Sequence, residues 1–255
     1  MKKLFLLSVL TLTAFSLSGC VIFHLQNTIN DDGSGSVDLY MSVSPGVQEA
    51  FLELQAMGAA QVKTMDIPDL SNIDQGELER LGKEHGVRVK KFEKERVDGR
   101  QILNISLDFD DLKGLSYIVG RILERDGSSG DGVGIFEASD GNLVLRSTSY
   151  DFPAAPSEKT KASELDPAKD PAQMDPEQMQ KQMAIMGKLM SAMSELDISL
   201  KITVPGEIVS SSAPVTEGRT SIWVVNASNM MTMDKNMDPK IVFSGKGLKI
   251  KPIKE

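Results

Sequence analysis

One cysteine and two histidines are all that the 255-residue chain offers for thiol or imidazole chemistry. A single cysteine excludes an intrachain disulfide, which needs two thiols. With only His24 and His85, a histidine-based metal site or a serine–histidine pair has almost no material. Basic charge is also short: 28 Lys and Arg stand against 36 Asp and Glu, a net charge of −8. Nucleic-acid backbones demand a basic face, so no nucleic acid is expected as a partner. Aromatic residues make up only 5% of the chain. Long apolar runs are confined to Leu4–Leu17, shorter than the roughly 20 residues of a comfortable membrane-spanning helix. No acid/base or nucleophile constellation stands out. The sequence is therefore read as non-enzymatic, with no cofactor and no metal site.

What is present begins with that same apolar run. Met1-Lys2-Lys3 is a short basic region, Leu4–Leu17 is uncharged and Leu-rich, and the small residues Ser18 and Gly19 precede Cys20. This is the layout of a secretory signal peptide. Leu17-Ser18-Gly19-Cys20 also resembles the bacterial lipobox. The resemblance implies cleavage between Gly19 and Cys20, a diacylglyceryl thioether on Cys20, and acylation of the new amine by a chain such as palmitate. A lone thiol in an oxidising compartment otherwise belongs to a soluble secreted protein with a stray cysteine. Lipidation removes that anomaly, and two or more chains hold a protein on a bilayer essentially permanently. The expected location is extracytoplasmic, lipid-anchored to a bacterial membrane. Val21, not Asp, follows the cysteine, which implies the periplasmic face of the outer membrane if the source is Gram-negative.

After the anchor, alternation of period two predicts strands, and period 3.6 predicts helices. Val21–Ile29 and Val37–Val43 flank the turn cluster Asp31–Ser36 as a hairpin. Ser44-Pro45 starts a helix carrying Val47, Phe51 and Leu54, with Ser44 as N-cap. Thr64–Ile73 reads as a loop or short turn. Glu77–His85 reads as a second helix closed by Gly86, and His85 there suits the helix dipole. Val87–Val97 and Arg100–Phe109 flank Asp98-Gly99, a strong hairpin signal. Asp110 or Asp111 caps a helix with the stripe Leu112, Leu115, Ile118, Val119, Ile122 and Leu123. A third hairpin spans Gly134–Tyr150 about Asp140-Gly141. Five prolines between Pro153 and Pro176 punctuate a polar stretch read as disordered.

A helix over Glu177–Ser194 follows, and then the strand Ile198–Val204 ends at Pro205-Gly206. Glu207–Ser212 and Arg219–Asn226 read as two strands about a Glu217-Gly218 turn. Lys240–Ser244 is a final short strand. The expected fold is α+β: a twisted antiparallel sheet built from hairpins, helices packed on one face, a Pro-rich disordered insertion and a Met-rich helix. The divisions are a signal peptide at 1–19, the first part of an extracytoplasmic domain at 20–150, the insertion at 151–176, and the Met-rich helix with closing strands at 177–255.

Two clusters bear on binding. Met179, Met183, Met186, Met190 and Met193 recur at spacings of three and four and form one helical stripe, widened by Ile185 and Leu189. A second group comprises Met230, Met231, Met233 and Met237. Flexible, polarizable methionine suits a core, a partner face, or an adaptable lipid or peptide groove. Thioethers also select Cu(I), which leaves a copper-handling lipoprotein as a minor alternative. The stretch Arg80–Arg100 is basic within an acidic chain, and Arg88, Lys90, Lys91, Lys94 and Arg96 are candidate contacts to anionic head groups. Lysine-rich strands also protect sheet edges from pairing. The acidic turns at Asp31-Asp32 with Asp38, and at Asp126–Glu137, are candidate weak calcium loops that read more simply as solvated turns.

The lipobox, the immediate strand, the Pro-capped helix, the segment Ile202-Thr203-Val204-Pro205-Gly206-Glu207-Ile208-Val209-Ser210, and Gly218, Arg219 and Trp223 together resemble the LppM-like family of bacterial lipoproteins. That resemblance spans most of residues 20–226. It implies an α/β extracytoplasmic domain binding a lipid or other envelope component, without catalytic residues. The Pro-rich insertion departs from it, as does the lack of the C-terminal transmembrane helix of some members. The expected function is a membrane-anchored lipoprotein whose domain binds a lipid or envelope component in an apolar groove lined by the sheet's odd-numbered residues. The alternative is a structural or assembly lipoprotein that docks an envelope protein through the Met-rich helix.

Overall fold

The computed structural model describes residues 21–56, 70–122, 131–149, 196–229 and 238–254, together with positions 180, 183–185 and 187. Cys20 and the signal segment, the Pro-rich insertion, Asp126, Met179, Met186, Met190, Met193 and the second methionine group lie outside the described residues.

The chain opens with β1 (Val21–Ile29) and β2 (Gly35–Val43), an antiparallel hairpin in the register Val21↔Val43 through Ile29↔Gly35. Its turn closes by Asn30 N–H donating to the Ser34 carbonyl at 2.7 Å, with Gly33 at a φ of 92°. Gly35 has no room for a side chain, because a Cβ there would strike the Thr28 carbonyl and the ring of the fully buried Phe109. Helix α1 (Pro45–Ala56) follows at once. Its start is where Ser44-Pro45 put it, but Ser44 does not cap through its side chain. The Ser44 carbonyl accepts from Gln48 N–H, whereas its buried Oγ has no hydrogen-bond partner.

Helix α2 (Gln75–Glu84) begins two residues before the expected Glu77, because Asp74 Oδ1 accepts the Glu77 N–H at 2.8 Å. Leu78 and Leu81 are its buried face. His85 ends it, and its ring stacks on Tyr117 with centroids 3.8 Å apart. Strands β3 (Val87–Val97) and β4 (Arg100–Phe109) meet through Asp98 and Gly99, both at positive φ, the geometry of a type I′ turn. Asp111 Oδ1 caps α3 (Leu112–Ile122) by accepting the Gly114 N–H at 2.7 Å, and Leu112, Leu115, Ile118 and Ile122 are buried. Strands β5 (Asp131–Glu137) and β6 (Asn142–Ser149) form the third hairpin about Ser139–Gly141. The second half of the candidate Asp126–Glu137 calcium loop is thus extended strand paired to β6.

The last strands are β7 (Leu196–Thr203), β8 (Ile208–Ser211), β9 (Val215–Glu217), β10 (Thr220–Asn226) and β11 (Ile241–Ser244). They sort the chain into a seven-stranded sheet ordered β3-β4-β2-β1-β7-β10-β9 and a four-stranded sheet ordered β5-β6-β11-β8. The fold is α+β, as expected, with differences in detail. The large sheet is mixed, because β1 and β7 run parallel. β8 is not the hairpin partner of β10: it pairs with β11 in the second sheet, and the short β9 turns about Gly218 to pair with β10.

Helix α3 packs against β3, β4 and β5, bridging the two sheets. One contiguous core joins them, with Phe109, Ile118, Leu145, Ile202, Trp223 and Phe243 among its members. Val37, Leu39, Met41 and Val43 of β2, with Leu103, Ile105, Leu107 and Phe109 of β4, project into this core and are at most 3% exposed. Buried to that degree, these eight side chains are core rather than the walls of an open groove among the described residues.

Candidate functional site

Parallel pairing places the C-terminal ends of β1 and β7 side by side, with Thr28 opposite Thr203. Beyond that rung the two chains must part. β1 turns back through Asn30–Ser34 into β2, while β7 leaves through Pro205-Gly206 for the second sheet. Gly206 permits this exit because a Cβ there would strike the Ser244 carbonyl of β11. The divergence opens a cleft of about 410 Å³. Thr28, Asn30, Asp31 and Asp32 form one wall, Thr203 to Pro205 the other, and Arg219 and Lys249 close it.

The cleft is polar and carries both signs of charge. Arg219 Nη1 donates to the Pro205 carbonyl at 2.7 Å, which fixes the guanidinium at the rim. Lys249 is held by its backbone, whose N–H donates to the Asp31 carbonyl at 2.7 Å. Asp32 Oδ1 accepts from both the N–H and the hydroxyl of Ser34, at 3.0 and 2.6 Å. Those bonds hold its carboxyl below the usual carboxylate range, and Lys249 adds to the effect. Asp38, the third acid of the candidate calcium turn, is instead bonded to Ser106 across the β2–β4 ladder. Asp32 is therefore committed to its own turn and Asp38 to a neighbouring strand. Such an arrangement suits hydrogen-bonding and ionic recognition of a small polar group.

The basic stretch does not assemble into one patch. β3 is an edge strand of the large sheet, which is the place where a lysine-rich strand resists edge-to-edge pairing. A bulge at Lys90 shifts the register, so Val89 faces the core before it and Phe92 after it. Arg88 pairs with Asp110 at 2.8 Å, Lys90 with Asp108 at 3.3 Å, and Lys91 with Glu93 at 2.9 Å. Lys94 lies on the other face and donates to the Ile73 carbonyl. Arg96 stands five rungs beyond Lys91, near the hairpin tip.

The remaining candidates are separate. His24 Nε2 lies 3.0 Å from Asp197 Oδ2 on the open face of the sheet, beside Tyr40. His85 is stacked on α3. Of the methionine stripe, Met183 falls in a helical stretch and is 64% exposed, while the neighbouring Ile185 is 5% exposed. The cleft itself was not singled out from sequence. Its walls come from segments that meet only through the parallel β1–β7 pairing, and the Thr-Val-Pro-Gly segment was the one visible signal.

No family model matches the chain, and no curated protein matches it. Among solved structures, the NMR structure of the folded domain of the Mycobacterium tuberculosis LppM protein shows a weak similarity. Identity is 11%, the TM-score is 0.39, and the alignment covers 88% of this chain and 90% of that one.

Proposed function

We propose that the protein is a lipid-anchored, non-enzymatic extracytoplasmic protein that binds a polar envelope component in the cleft between β1 and β7. The observation that carries this reading is the position of β1. It begins at Val21, directly after Leu17-Ser18-Gly19-Cys20, and is the middle strand of the seven-stranded sheet. An acylated Cys20 would leave the folded body with no linker, so the body stands on its anchor. The cleft then opens at the far end of β1, roughly 25 Å away at about 3.3 Å per residue. Mixed charge and threonine hydroxyls favour a polar ligand, such as a head group, glycan or peptide, over an acyl chain.

Native mass spectrometry of the Cys20→Ser protein, challenged with bacterial envelope extract, tests the binding step. The expected result is a stoichiometric adduct that weakens in Arg219→Ala. A clean apo mass under the same challenge, or an adduct indifferent to Arg219, sinks the cleft. The exposure of Met183 favours a second reading, docking of an envelope protein through the methionine stripe. Met183→Ser should then abolish a crosslink to that partner in cells while leaving the sheet folded.

A further inference from the structure

The strand register states which residues share an end of the sheet with the start of β1. Val21 pairs with Val43, Val43 with Gln101, and Gln101 with Arg96, so these four lie in one row across β1, β2, β4 and β3. On the other side Val21 pairs with Leu196 of β7. Past that row, at the end of the sheet where β1 begins, projects the tip of the β3–β4 hairpin: Val97, Asp98, Gly99 and Arg100. We infer that this hairpin tip is a second membrane contact, with Val97 entering the interface of an anionic bilayer and Arg96 meeting its head groups. The inference rests on the proposed anchoring at Cys20.

Three observations favour a bilayer as the occupant. Val97 is 48% exposed, one of few large apolar side chains so placed among the described residues. It sits at the end of a strand, where a lone apolar residue gains nothing from the core. The tip is also braced. A Cβ on Gly99 would meet Pro45 Cγ at 2.8 Å, so the turn rests on the start of α1. Arg100 Nη1 donates to the buried Ser42 at 3.1 Å, fixing the base of the tip. Finally, the tip lies three ladder steps from β1, or about 14 Å at 4.8 Å per strand. A body anchored without linker at its central strand cannot hold that rim far from the lipid.

Charge at the tip is mixed, with Arg96 and Arg100 against Glu95 and Asp98. Glu95 pairs with Ile102 on the opposite face from Arg96, which pairs with Gln101. Lys94 is turned to Ile73 and does not join them. Arg96 makes no ion pair among the described residues, so its guanidinium remains available to a phosphate. Arg88, Lys90 and Lys91 lie in the first half of β3, away from the tip, and pair with Asp110, Asp108 and Glu93. Of the five head-group candidates, the register thus selects Arg96 alone, while Arg100 braces the tip on Ser42.

The test uses the acylated full-length mature protein in vesicles of phosphatidylglycerol and phosphatidylcholine carrying a head-group-proximal spin-labelled lipid. A fluorophore is placed through Val97→Cys, or through Glu217→Cys at the β9–β10 turn on the far rim. Acylated Cys20 does not react with the dye. Loss of emission from the label at 97, but not from the label at 217, is expected, and Arg96→Glu should restore it. Emission from 97 that survives on vesicles bearing the acylated protein overturns the contact while leaving the anchor intact. Quenching of 217 instead of 97 overturns it as well. Absence of an acyl mass on Cys20, with the protein free of the vesicles, removes the anchor and this inference together.

Discussion

The two halves of the seven-stranded sheet are built from different pairings, and their interiors differ accordingly. On one side β1, β2, β4 and β3 join by antiparallel ladders, two of them closed by short turns within the chain. There the inward apolar residues of β2 and β4 are almost completely buried. On the other side β1 meets β7 in parallel, across partners such as His24 and Asp197 that are 173 residues apart in sequence. Along that seam Val21, Phe23, Leu25 and Leu200 pack against the core but stay partly exposed, whereas Ile202 and Trp223 nearer the cleft are buried. Short loops return each strand onto its predecessor and close the core early. A long-range parallel contact costs more loop entropy and leaves diverging chain ends, and that divergence is where the cleft forms.

The contrast can be broken by truncation. Leu103→Ala, at the centre of β4 and fully buried, should cost about 3 kcal/mol or more. Leu200→Ala on β7 should cost about 1 kcal/mol, because less area leaves water there on folding. Equal losses in denaturant titrations would show that both halves are packed alike. The junction between the sheets gives the next effect. Gly206→Ala forces a methyl against the Ser244 carbonyl, and a loss of about 1–3 kcal/mol is expected. Trp223, the one tryptophan of the chain and 2% exposed on β10, reports that side by its emission. An unfolding midpoint by tryptophan emission below that by circular dichroism would mark the parallel half as the weaker unit.

Helix starts provide a smaller comparison. Asp74→Ala removes a side-chain cap from α2 and should cost about 1 kcal/mol. Ser44→Ala should be neutral or mildly stabilising, because the buried hydroxyl it removes has no partner. A matching loss at both positions would contradict the difference in their geometry. The smallest effect concerns pH. The Asp32 carboxyl lies below its ordinary range, chiefly through Ser34. Its contribution is therefore present above the unfolded carboxylate pKa and is lost as pH falls through the depressed folded value. Asp32→Asn should be less stable than the parent at neutral pH, and the gap should close on acidification. A gap constant from neutral to strongly acidic pH would contradict it.

Legibility followed the range of the interactions. The β3–β4 hairpin was plain because Asp98-Gly99 supplies the positive φ of its turn and both strands lie next to it. The stripe of α3 was plain because its period and its Asp111 cap are local. The bulge at Lys90 was not: an unbroken run of alternating residues hides one extra position, and with it the side to which each lysine points. The Asp74 cap is harder to see because Glu77 reads as the first helical residue, although an acid three places earlier is the usual capping geometry. β8 pairs with β11 and not with β10 as its sequence position suggests, because a four-residue strand carries too little pattern to choose between two sheets.

By itself, the sequence determined the strand and helix segments, the hairpins, the α+β class and the position of Cys20 before the first strand. Those follow from periodicity and turn stereochemistry, which act over a few residues. Only the tertiary structure decided that β1 and β7 run parallel, that a polar cleft opens where they part, and that Arg96 lies at Val21's end of the sheet while Arg88 lies at the other. Register and sheet order depend on which buried surfaces meet across long loops. Many pairings of similar alternating strands satisfy the same local rules, and packing against the shared core selects one.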